Sequence, residues 1–203
     1  IDCSKRWGLS NGSGAGTIDL QGHTLTRIGG DNFMFVSANL TPGTFIHKAG
    51  KITFQTNSGK YQANETCNPT NCVLQLETGS TLEFWSCGYE VPYRVIFNGG
   101  KLSVGSGSGV PPFNTFSGPV EFRKGGIYMQ PGAAKNLSVG FTGSLNVTTN
   151  NFEFNAGSMT AGYQCSAYFG GPISGSGNIK AVNGTKIFFQ GETVGGARPV
   201  MQN

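Results

Sequence analysis

The sequence predicts an all-β chain folded as a single-stack β-solenoid, with a β-sandwich as the competing arrangement. Three observations lead there. Charged residues make up only 12% of the chain, about half the usual share. Glycine is abundant, at 33 residues of 203. Short stretches of alternating apolar and polar residues recur along the chain, each broken by a glycine turn. Few residues suited to exposed helix faces remain, so helices are disfavoured. Short strands joined by glycine turns are favoured.

The repeats run in order. A loose first copy occupies 17–26, and clearer ones follow at 73–84, 94–104, 120–129, 137–147, 152–159 and 179–189. In the copy at 73–84, Leu74 and Leu76 fall on one face of a strand, and Gln75 and Glu77 on the other. After Gly79, Leu82 and Phe84 alternate with Glu83 in the same way. One such unit cannot bury its apolar face alone, but stacked units bury it against each other. The apolar residues after the glycines are Leu82, Leu102, Ile127, Leu145, Met159 and Ile187, at gaps of 20, 25, 18, 14 and 28. That irregular period suits a solenoid with loops of variable length better than it suits a sandwich. A single domain over 1–203 is expected, with short arms around Cys3 and Trp7 and at 195–199.

Residues 16–25, and 175–180 together with 184–189, resemble the strand repeats of autotransporter passenger domains. The resemblance implies a right-handed parallel β-helix of the kind found on bacterial surfaces. The cysteines and glycosylation sequons of this chain depart from that family, so the resemblance bears on the fold rather than on the export route.

Five cysteines are present: Cys3, Cys67, Cys72, Cys87 and Cys165. Cys67 and Cys72 flank the turn sequence at 68–71, and a disulfide pinning that loop is the favoured pairing. The odd count leaves at least one cysteine for an intermolecular bond or as a free thiol. Six N-x-Ser/Thr sequons lie at Asn11, Asn39, Asn64, Asn136, Asn146 and Asn183, about twice the number chance would place. Together with the cysteines they favour an extracellular or cell-surface protein.

The chemistry expected is sparse. No metal or cofactor site is expected, since His23 and His47 are isolated and the cysteines lack a second ligand pair. The three aspartates, Asp2, Asp19 and Asp31, are dispersed, which disfavours a calcium cluster. Glu77 with Glu83, and Glu121 with Glu153, are the carboxylate pairs a folded solenoid could bring together for glycoside chemistry. Solvent-facing strand positions are their commoner fate. No G-x-S-x-G elbow occurs, and no enzyme is expected. The glycine-serine stretches at 105–109 and 175–177 read as flexible loops. Fourteen scattered basic residues give a net charge of +4 without the stripe a nucleic-acid binder needs. No apolar run is long enough to span a membrane.

Phe84, Trp85, Tyr89 and Tyr93 form the densest aromatic group, a core cluster or a contact for glycan or partner. These features point to a secreted, glycosylated structural protein that self-associates or joins other matrix or coat proteins, as a fibre, appendage or coat subunit. The alternative is an adhesin or carbohydrate-binding module.

Overall fold

A computed structural model describes residues 7–9, 16–30, 32–36, 38–40, 42–55, 70–84, 90–104, 114–129, 137–149, 152–157 and 165–189. Among them there is no helix. The strands begin with β1 (Trp7–Leu9), β2 (Gly16–Ile18), β3 (Thr24–Arg27), β4 (Asn32–Val36), β5 (Ala38–Leu40), β6 (Gly43–His47) and β7 (Gly50–Gln55). They continue with β8 (Cys72–Glu77), β9 (Ser80–Phe84), β10 (Glu90–Val91), β11 (Arg94–Val104), β12 (Asn114–Phe116) and β13 (Val120–Met129). The last are β14 (Leu137–Phe141), β15 (Leu145–Val147), β16 (Phe152–Asn155), β17 (Cys165–Phe169), β18 (Ile173–Ser174), β19 (Ile179–Val182) and β20 (Lys186–Phe189).

Every pairing between these strands is parallel. Parallel neighbours need a long crossover. Here the crossover is the rest of one turn of the coil, which excludes the sandwich and makes a β-solenoid. The chain visits three sides in a fixed cycle. Side one stacks β3, β6, β8, the first parts of β11 and β13, then β15 and β18. Side two stacks β1, β4, β7, β9, the second parts of β11 and β13, then β16 and β19. Side three holds β2–β5 and β10–β12–β14–β17–β20.

Paired residues on side one lie 20 (Thr24↔Thr44), 29 (Thr44↔Val73), 21 (Val73↔Arg94), 25 (Val95↔Val120), 25 (Val120↔Leu145) and 28 (Leu145↔Ile173) apart. The irregular period is therefore real, but its phase differs from the expectation. Leu82, Leu102 and Ile127 do stack on side two, and the column continues through Phe154 and Ala181. Leu145 belongs to side one and Ile187 to side three, paired with Ala167. Met159 lies outside the described residues. Alternation marks a strand's inner face, but three sides carry the same alternation, so sequence alone cannot tell which side a strand occupies.

The glycine between paired strands is a corner. At Gly99 and Gly125 the strand bends from side one to side two with φ of 102° and 120°, a left-handed backbone that side chains resist. The corner from side three to side one follows another rule. Phe116, Phe141 and Phe169 are each followed two residues later by glycine: Gly118, Gly143 and Gly171. The amides of Thr142 and Gly143 both donate to the Phe116 carbonyl, at 2.9 and 3.2 Å, and those of Gly170 and Gly171 both donate to Phe141. A Cβ at Gly143 would run into the carbonyl oxygen of Gly118 one rung earlier.

Inside, the columns are apolar and closely packed. Phe116, Phe141 and Phe169 stack face to face with centroids 5.2 Å apart at each step. Phe122 lies parallel to Phe152 and edge-on to Phe97. Each buried phenylalanine contributes roughly 1.5–3 kcal/mol of hydrophobic stabilisation.

Candidate functional site

On side one, Glu121 is clamped between two guanidiniums: Arg94 Nη2 at 3.0 Å and Arg123 Nε at 2.9 Å. The hydrogen bond from Arg123 is the main cause that holds its carboxyl below the usual carboxylate range. Glu77 on the same side accepts from Gln75, and from Asn98 at 2.9 Å. On side two, the buried Glu83 accepts from Lys51 Nζ at 3.0 Å and Thr53 Oγ1 at 2.9 Å. The fold thus places Glu77 and Glu83 on different sides of the coil, and it separates Glu121 from Glu153 of β16 in the same way. Neither candidate pair is brought into opposition. Among the described residues, no three His, Cys, Asp or Glu side chains gather as a metal site would require.

His23 is exposed and follows the turn at 21–22. His47 is wholly buried beside Arg27, which is only 1% exposed. Arg27 Nη1 lies 3.1 Å from Nδ1 of His47, while its Nε2 donates to the Gly50 carbonyl at 3.0 Å. Burial, and then the Arg27 charge, push the His47 pKa down to about 4. The ring is a neutral core element.

Several expectations change. Phe84 and Tyr93 are 0% and 1% exposed, so they are core residues and offer no ring to a glycan. Trp85 and Tyr89 lie outside the described residues. Gly175 and Gly177 are no flexible loop: Gly177 donates to the Val147 carbonyl at 2.9 Å, and a Cβ at either glycine would strike the preceding rung. Trp7 is no arm either, since it begins β1 in register with Phe33. Residues 105–109 and 195–199 lie outside the described residues.

Cys72 is buried and disulfide-bonded. Cys3, Cys67 and Cys87 lie outside the described residues. Cys165 is a buried thiol whose pKa burial pushes up to about 11. Cys165 therefore lies inside the core, out of reach of a neighbouring molecule. Asn146 and Asn183 are exposed, and Asn183 Nδ2 donates to Asn155 Oδ1 at 2.8 Å. Asn39 sits on β5, while Asn11, Asn64 and Asn136 are outside the described residues.

The apolar exceptions lie at the ends of the stack. Among the described residues, the large exposed hydrophobics are Ile28 at 47%, Phe188 at 41% and Phe189 at 52%. Ile28 directly follows β3, the first strand of side one; Phe188 and Phe189 end the last strand of side three. A concavity of about 510 Å³ opens at the same late end, walled by Val147, Phe169, Ile173, Ile179, Ile187 and Phe189. The sequence pattern does not single these residues out, because they continue the same inner and outer columns as buried ones. Being last in a column is what exposes them.

Comparison with protein-family models, with curated proteins and with solved structures returned no match.

Proposed function

We propose that this chain is an extracellular structural protein that assembles with copies of itself, as a fibre, appendage or coat subunit. The observation that carries the reading is the position of Ile28, Phe188 and Phe189 at the two ends of a stack whose sides hold paired charges. Exposed apolar groups of this kind mark contact surfaces. Exposed sequons at Asn146 and Asn183 and the disulfide at Cys72 support an extracellular setting. Cys67 is the proposed partner of Cys72 across the turn at 68–71. The reading includes no catalytic role, because Glu77, Glu83 and Glu121 are each held by structural partners.

Negative-stain electron microscopy of unreduced protein tests it. Regular filaments or sheets are expected. Isolated short rods, with monomer in light scattering, would overturn it.

A binding module is the second reading. Tyr168 and Phe188 stack on the outer face of side three with centroids 5.0 Å apart and Phe188 partly exposed. Such a pair is a platform for a sugar face. Binding on a glycan array that Phe188→Ala abolishes would favour it.

A further inference from the structure

Both ends of the stack present strand edges. Among the described residues, β19 and β20 pair only with β16 and β17, and β1 and β2 pair only with β4 and β5. An unpaired edge is a row of backbone donors and acceptors ready for another strand. The two ends also match in direction, since every strand of the coil is parallel. They match in order too: side two precedes side three in the chain at both ends.

We infer that a second copy of this chain docks head to tail on the late end, with its β1 pairing β19 and its β2 pairing β20. The coil then continues from copy to copy along one axis. This rests on the self-association proposed above and names its surface. On side one, β18 and β3 stand one strand further apart, so sides two and three carry the contact.

Two further observations agree. The concavity walled by Ile179, Ile187 and Phe189 is covered in the same step. Exposed charges near the two contact edges are of opposite sign: Lys180 and Lys186 on the last described rung and Asp19 beside β2. Because the contact joins different surfaces and does not close, it propagates.

The test uses full-length wild type and a Phe189→Asp variant, with Phe189→Ser as a milder second change. Residue 189 is exposed in the single copy, and circular dichroism and melting confirm that each variant folds. Phe189→Asp alone is expected to stay monomeric in light scattering. It keeps an intact early end, so it should cap growing wild-type filaments and shorten them in proportion to its share of the mixture. In assembled wild type, amide exchange at Trp7–Leu9, Gly16–Ile18, Ile179–Val182 and Lys186–Phe189 should slow relative to diluted protein. If wild type assembles and both variants assemble equally, the contact lies elsewhere: the head-to-tail inference falls while self-association stands. A monomeric wild type whose β19 and β20 amides are already protected would place residues 190–203 of the same chain over that end. That outcome overturns both.

Discussion

His47 carries a buried imidazole that must stay neutral. Its pKa of about 4 in the folded chain, against an ordinary 6.5, means that the unfolded chain binds the proton more readily. Stability from this group is intact above pH 6.5 and falls as pH drops from 6.5 to about 4, by on the order of 3 kcal/mol. Glu121 has its depressed pKa below 4.5 and loses its contribution only at lower pH. Denaturant titrations at pH 7.5 and pH 4.5 check this, and His47→Gln should flatten the slope; an unchanged slope would rule the residue out. Gly143 answers to a steric rule instead. Its neighbour is the backbone oxygen of Gly118, which cannot swing aside as a side chain can. Gly143→Ala should cost about 1–3 kcal/mol as an overpacking change, read as a lower denaturant midpoint.

The strands of side three hold together through one aromatic column. Phe141 touches Phe116, Phe122, Phe154 and Phe169, so it joins successive rungs as well as all three sides. Phe141→Ala should cost about 3–5 kcal/mol. In a stack each rung leans mainly on its neighbours, so amide exchange should speed first in β12, β14 and β17. Uniform acceleration across all sides would argue against that local coupling. The element pattern was largely legible: period-two alternation located the strands over 73–84, 94–104 and 120–129. The phenylalanine-x-glycine corners at 116–118, 141–143 and 169–171 were equally present in the chain, but their meaning depends on what lies one rung away. The same limit left Phe84 and Tyr93 open between core packing and a glycan or partner contact, and distant strands put both in the core.

Among the described residues, the ion pairs lie on the sides of the stack and the large exposed hydrophobics lie at its ends. Side pairs such as Lys51–Glu83 and Arg94–Glu121 are satisfied within one copy and have little left for a partner. The ends carry Phe188, Phe189 and two lysines on one side and Asp19 on the other. Assembly through such ends combines edge pairing with charge attraction, and exposed charges are screened within about 8–10 Å at physiological ionic strength. Raising salt from low to molar should therefore slow the growth of filaments without dissolving formed ones, because the apolar and backbone contacts persist. Light-scattering growth curves at two salt concentrations measure this, and growth indifferent to salt would remove the charge component.

The sequence by itself determined the all-β class and favoured a stacked coil over a sandwich, a choice that the parallel pairing of the strands then decided. Low charge, abundant glycine and strict alternation leave stacked strands as the way to bury so many phenylalanines, and alternation is a local property that the chain carries along its length. Only the tertiary structure decided the phase of the coil, which side each strand occupies, and which residues stand last. It separated Glu77 from Glu83, drew His47 and Cys165 into the core, and left Phe188 and Phe189 exposed on the last described rung. Those outcomes depend on neighbours 20–30 residues away, and local pattern carries no information about contacts made at that distance.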